Sequence, residues 1–277
     1  MSSNTEIDRV LRNLFPESDF QIEELEPEYE DTSRYLILSN ISGKKSICVL
    51  VQFFEDHIYI ERLGRCKIKG GETLDIIEQI AKQLGNISYI SLEDDSTLKV
   101  FPEFDIWINL YIYKILTKGQ SWYNSLHYYS DNYEQEEKDN AKFKTMTIKD
   151  FQADVSSRDI DKNKYNEHLK DLLTIFSFEP EESMTVSDFY NKIMEIIHRD
   201  EPDIKKVQWL EDDLNFVLDS KIVNYNAKKL TKHIQVPSGG ARRKMKKTRT
   251  TRKGKKGKKG KKGKKTKKHR RKTRIKK

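Results

Sequence analysis

The sequence predicts an α+β fold: a mixed sheet with one crossover helix, then a small all-α region, then a disordered polybasic tail. Three observations predict it. Short runs rich in Ile, Val, Leu and Phe follow one another between residues 34 and 63. At Gly70-Gly71 the apolar period changes from two to that of a helix. From Ser238 onward apolar residues almost vanish while lysine and arginine dominate.

Residues 1–33 form an acidic N-terminal segment. Within it Glu6–Leu14 reads as a short helix with Val10, Leu11 and Leu14 on its apolar face. The stretch from Ser18 to Ser33 reads as a linker or an edge segment. An α/β domain is predicted over 34–155. Tyr35–Ser39 and Ser46–Phe54 read as strands of a hairpin, with Ser42-Gly43 in the connection. Glu55-Asp56 marks a turn, and Ile58–Leu63 reads as a third strand of an antiparallel meander. Over Glu72–Leu84 the residues Leu74, Ile77, Ile80, Ala81 and Leu84 share one helical face, and Gly85 follows as a C-terminal cap. Tyr89–Leu92 is a fourth strand, so strand, glycine loop, helix and strand make a βαβ crossover. Asp105–Thr117 reads as helical, and Phe143–Val155 as ambiguous with a strand as one option. A helical region is predicted over 156–236, with helices at Tyr165–Phe176, Val186–His198 and Asp203–Leu218. Thr185 is the expected N-cap of the second, with Asp188 three residues on.

Charge is segregated. The net charge of the 277-residue chain is +9, but residues 238–277 hold 24 Lys+Arg and no Asp or Glu. Residues 1–237 then carry 29 basic and 44 acidic residues, a net of −15. The tail, 237–277, opens on Pro237-Ser238-Gly239-Gly240 and contains four Gly-Lys-Lys repeats from Gly254. It lacks the apolar surface to offset chain entropy, so it is expected to be disordered. Twenty-four unopposed cations point to a polyanion, DNA or RNA, held by counterion release. The residues assigned to phosphate contact are Arg242, Arg243, Lys244, Lys255, Lys256, Lys258, Lys259, Lys261, Lys262, Arg270 and Arg271. No aromatic residue interleaves them, so sequence preference should be negligible. Arg242-Arg243 and Arg270-Arg271 also pass as nuclear-localisation patches.

Several classes are disfavoured. No run reaches the 18 apolar residues of a membrane span, and the start MSSNTEIDRV has no apolar signal-peptide core. Two cysteines, Cys48 and Cys66, build neither a disulfide framework nor a four-thiolate zinc site, and a reducing compartment is the default expectation. Cys66 lies between Arg65 and Lys67, which would favour a thiolate, but an inert cysteine is the plainer reading. Asp94-Asp95 has no paired histidine, and the six histidines show no H-x₃-H spacing, so no metal is expected. G-x-S-x-G and P-loop patterns are missing.

Strand Ile58–Leu63, loop Arg65–Gly71, helix Glu72–Leu84, strand Tyr89–Leu92 and the segment Ser121–Tyr129 together resemble the GNAT superfamily of acyl-CoA-dependent N-acetyltransferases. The resemblance covers about residues 34–133. It implies that Lys67, Lys69, Gly70 and Gly71 hold a CoA pyrophosphate at the helix N-terminus. It implies that Tyr123, in Tyr123-Asn124-Ser125-Leu126-His127-Tyr128, protonates the leaving thiolate, and that Glu61 serves as general base. Glu72 stands where the family has Gly or Ala, and His127 where it has Gly. No cofactor is therefore expected, and acetyl-CoA only if the chain is active. Ser91–Ser96 (SLEDDS) and Ile115–Ser130 (ILTKGQSWYNSLHYYS), with the basic tail after Gly239-Gly240, are similar to GNAT-like proteins of the giant, nucleocytoplasmic large DNA viruses. That likeness implies a setting in the cytoplasm or nucleus of an infected cell, or in the virion. The leading expectation is a nucleic-acid-associated protein on a GNAT-like scaffold. A working N-acetyltransferase targeted by its tail, and a structural virion component, are the competing expectations.

Overall fold

The structure is a computed structural model and describes residues 4–157, 170–172 and 174–235. The basic residues assigned to phosphate contact all lie outside them. The chain opens with helix α1 (Asn4–Leu14), which buries Ile7, Val10 and Leu11. Four antiparallel strands follow: β1 (Phe20–Leu25), β2 (Ser33–Ile41), β3 (Lys44–Phe53) and β4 (His57–Leu63). The acidic segment thus supplies the edge of the sheet, where Glu23 and Glu24 discourage pairing with another chain. A two-residue turn joins β2 to β3. Ser42 and Gly43 both have positive φ (52° and 79°), the combination that matches the twist of a hairpin.

Helix α2 (Gly70–Leu84) crosses over to β5 (Tyr89–Leu92), which lies parallel to β4. Its face of Leu74, Ile77, Ile80, Ala81 and Leu84 is buried, and Gly85 ends it in the left-handed conformation with its N–H on the Ala81 carbonyl. The sheet closes with β8 (Leu230–His233), antiparallel to β5, giving the order β1-β2-β3-β4-β5-β8. Alternation sends Tyr35, Ile37, Val49, Val51, Phe53, Ile58, Ile60 and Ile90 to one face, into a core shared with α1 and α2.

Between β5 and β8 a second core is built. A small ribbon of β6 (Thr97–Lys99) and β7 (Trp107–Asn109) leads into α3 (Leu110–Lys118). Helices α4 (Tyr133–Ala141), α5 (Ile148–Ser157), α6 (Val186–Arg199) and α7 (Ile204–Asp219) follow. Ile112, Ile115, Phe143, Phe151, Phe189, Ile193, Trp209 and Leu214 are among its buried members. Thr185 caps α6, accepting the Asp188 N–H at 3.1 Å, worth about 1 kcal/mol.

Four expectations change. The helical core begins near Leu98 rather than at 156, because the ribbon and α3 pack on α6 and α7 rather than on the large sheet. The region 156–236 is not all-α, since it returns a strand to the sheet. Phe143–Val155 contains no strand: Ile148, Phe151 and Val155 recur at helical spacing and are buried together. The Asp105–Thr117 helix starts only at Leu110, because Trp107–Asn109 pairs with Thr97–Lys99. Of the predicted helix at Tyr165–Phe176, the described residues 170–172 and 174–176 are helical and bury Leu172 and Phe176, and the rest, like the basic tail, lies outside the described residues.

The two cysteines are joined. Cys48, fully buried on β3, and Cys66, in the loop before α2, form a disulfide with their Cα atoms 4.8 Å apart. This corrects the expectation of an inert or nucleophilic Cys66 thiol. The bond spans 18 residues, for which loop-closure entropy gives about 3 kcal/mol.

Candidate functional site

Strands β4 and β5 pair from His57–Tyr89 to Ile60–Leu92 and no further. Ligands of parallel sheets are bound beyond the carboxyl ends of such strands. Three groups of residues converge there: the end of β4, the loop into α2, and the segment Ser121–Tyr128.

At the end of β4 the pairing with β3 slips between Leu50 and Val51, so Glu61 is an extra, bulged residue. Its carboxylate is held by the Arg34 guanidinium through two hydrogen bonds, 2.8 and 2.5 Å, and Arg34 also reaches Glu28 at 3.0 Å. The bond from Glu61 pushes the Arg34 guanidinium up against its burial cost. A base must offer a lone pair to its proton donor; each oxygen of Glu61 already accepts one bond from Arg34, which fixes the carboxylate toward β2 and leaves one lone pair on each.

The loop from Gly64 to Gly71 is drawn onto the sheet. Gly64 donates to the Cys48 carbonyl at 2.9 Å. A Cβ at Gly64 would sit 2.2 Å from the Ile47 carbonyl oxygen, so only glycine permits this approach. Cys66 is tied to Cys48, Lys67 N–H donates to Ser39 Oγ at 3.1 Å, and the Lys67 ammonium pairs with Asp19. At the start of α2 the Glu72 carboxylate accepts the Lys69 N–H at 3.2 Å. The Trp122 ring lies against Gly70: a Cβ there would be 3.0 Å from the ring and 3.4 Å from Leu63. Gly71 faces open space.

These positions do not fit the pyrophosphate of the CoA that the resemblance implies. The Lys69 donor is taken by a carboxylate of the chain itself, an indole covers Gly70, and the Lys67 ammonium is held by Asp19. Lys69 itself is exposed.

Tyr123 is buried in the core that contains α2, its ring 4.8 Å from Trp122 and 6.1 Å from Tyr128. Burial, helped by the charges of Asp94 and Asp95, pushes its phenol upward. Among the described residues no contact joins Tyr123 to Glu61. Glu61 turns to Arg34, while Tyr123 packs in the core beneath α2.

One buried polar group beyond β5 is absent from the motif reading. Asp94, 3% exposed, accepts from the Tyr225 hydroxyl and from the Ser96 N–H at 3.1 Å, and its own N–H donates to the Ala227 carbonyl. The Tyr225 hydroxyl also meets Ser121 Oγ at 2.9 Å. Asn124 locks this turn: its side chain accepts the Ser121 N–H and donates to the Tyr128 carbonyl. Burial pushes the Asp94 carboxyl up, opposed by its hydrogen bonds. The network ties β5, the Ser121 turn and the lead-in to β8 together. The sequence signals Asp94 only as half of an acidic pair, and nothing local signals Tyr225.

Among the described residues no three His, Cys, Asp or Glu side chains cluster to hold a metal ion, and no helix is long and apolar enough to cross a membrane. No family model matches the sequence, and no curated protein does.

Proposed function

We propose that the protein binds nucleic acid without sequence preference through residues 238–277, and that its body is a GNAT-like scaffold that does not load acyl-CoA. The observation that carries the first part is charge segregation: 24 cations without one acid, against a net of −15 in residues 1–237. Such a segment gains affinity by releasing counterions from phosphates. Support for a GNAT-like scaffold is the meander, the parallel β4–β5 pair crossed over by α2, and the bulge at Glu61. Support for an unloaded scaffold is the glycine loop closed by Glu72 and Trp122. The viral likeness supplies the setting: an infected cell or a virion, where packaged or replicating genome is the polyanion.

The test is a salt series on random-sequence DNA with the full chain and with residues 1–237. Each phosphate neutralised contributes about −0.9 to the slope of log K against log salt. The full chain is expected to lose affinity steeply with salt and equally for all sequences. The shortened chain should not bind at moderate salt. Equal affinity of the two chains would overturn the proposal.

A further inference from the structure

The disulfide sits where it can control one loop rather than the whole fold. Cys48 lies on β3, a strand paired by β2 and by β4; Cys48 itself is the bulged residue between the pairs Ile47–Leu38 and Val49–Ile37, one position before the β4 pairing begins at Val49. Helix α2 is held by its own buried face. The segment 64–69 runs from the end of β4 into α2, beside β3. Its ties to the rest of the fold include the Gly64 N–H on the Cys48 carbonyl, the Lys67 N–H on Ser39 Oγ, the exposed Lys67–Asp19 ion pair, the partly buried Ile68 packed on the core, and the Cys48–Cys66 bond. Only the last is covalent, and an exposed ion pair contributes little.

The two sulfurs are not equivalent. Cys48 is fully buried, whereas Cys66 is half-buried between the exposed side chains of Arg65 and Lys67. An incoming thiolate therefore reaches Cys66 only, and the positive flank draws it there. The departing sulfur is then Cys48, which must leave as a thiolate into an apolar core, and a poor leaving group slows exchange.

We propose that Cys48–Cys66 is a redox latch: thiol–disulfide exchange with an external dithiol opens it at Cys66 and frees residues 64–69 while sheet and helix stay folded. The chemistry balances as follows. One thiolate of the dithiol attacks Cys66 Sγ, the S–S bond breaks, and Cys48 leaves and takes up a proton. The second thiol of the reductant closes its own disulfide and releases Cys66 as a thiol. Two electrons pass from the dithiol to the cystine. Exchange with an oxidised disulfide donor reverses the step.

The experiment is hydrogen exchange read by mass spectrometry on the full chain, before and after dithiothreitol, with iodoacetamide labelling in parallel. Reduction is expected to speed amide exchange over residues 64–69 by about tenfold or more, with β3 and α2 unchanged, as for a local opening. Cys66 should be alkylated quickly and Cys48 slowly. The Cys48→Ala variant should reproduce the reduced loop without reductant, and oxidised glutathione should restore protection in the wild type. Unchanged exchange after reduction would overturn the latch. So would equal acceleration across β2, β3 and β4, which is the behaviour of a staple for the whole sheet, or two free thiols in protein never exposed to reductant. Because the wild-type chain is reduced after folding, a variant that fails to fold leaves the answer intact.

Discussion

The cofactor question turns on two residues, Trp122 and Glu72, and changing both to Ala is the sharpest perturbation; Glu72 is the charged one. Its carboxylate accepts the Lys69 N–H at 3.2 Å. A phosphate oxygen taking that donor would come within roughly 4 Å of the carboxylate. Two like charges at that distance repel by about 1 kcal/mol in bulk water and about 4 kcal/mol at an effective dielectric of 20. Glu72 is exposed, which puts the penalty in the lower half of that range, roughly a five- to sixtyfold loss in affinity. The Trp122 ring adds a steric block at Gly70 that salt cannot screen. Titration calorimetry with acetyl-CoA should therefore show no saturable binding by the wild-type chain at micromolar concentrations. Glu72→Ala alone should gain little, and Glu72→Ala with Trp122→Ala should gain most. Any gain from the Glu72 change should shrink as ionic strength rises. Saturable micromolar binding by the wild type, lost in a folded Gly70→Val variant, would refute this reasoning and make the enzyme reading the better one.

Two further predictions concern stability. Gly64→Ala puts a Cβ 2.2 Å from the Ile47 carbonyl oxygen, so strand and loop must part and the Gly64–Cys48 hydrogen bond is strained; a loss of about 2–4 kcal/mol is expected. A thermal midpoint within a degree of wild type would count against the close approach. Asp94 has a raised carboxyl pKa through burial, so the folded chain binds its proton more tightly than the unfolded one. Its contribution to stability is therefore present at low pH and is lost as pH rises from the unfolded Asp value through the folded one. Unfolding free energies from urea titrations between pH 4 and 7 should fall less steeply for Asp94→Asn than for wild type, by at most about 1.4 kcal/mol per pH unit; parallel curves would show that Asp94 does not titrate differently in the two states.

What could be read from the sequence was what depends on neighbours along the chain. The α2 face and its Gly85 cap, the Ser42-Gly43 turn and the Thr185 cap each rest on residues within a few positions of one another, and the structure has them in place. The misread segments show where local signals compete. Phe143–Val155 carries β-branched and aromatic residues suited to a strand, yet the three- and four-residue steps from Ile148 to Phe151 to Val155 are helical, and burial against α6 decides between them. Strand β8 is four residues long and pairs with β5 after an intervening helical core. No periodicity in so short a run could have assigned it to the sheet.

The candidate site was legible as a pattern but not as an arrangement. Lys67, Lys69, Gly70, Gly71, Glu61 and Tyr123 could each be picked out by type and order. Their fates are set by Asp19, Trp122, Arg34 and Asp94, which arrive from other parts of the chain. Glu72 was the one local departure that pointed to a closed loop. Trp122 closes the same loop from the other side, and only tertiary packing brings it to Gly70. The Cys48–Cys66 bond follows the same logic, because its 18-residue separation means little until the β3–β4 pairing and the Gly64 approach place the two Cα atoms 4.8 Å apart. A motif states which side chains are present. Whether they can act depends on which of their atoms the rest of the fold has already engaged, and here Glu61, Lys67 and the start of α2 are engaged before any ligand arrives.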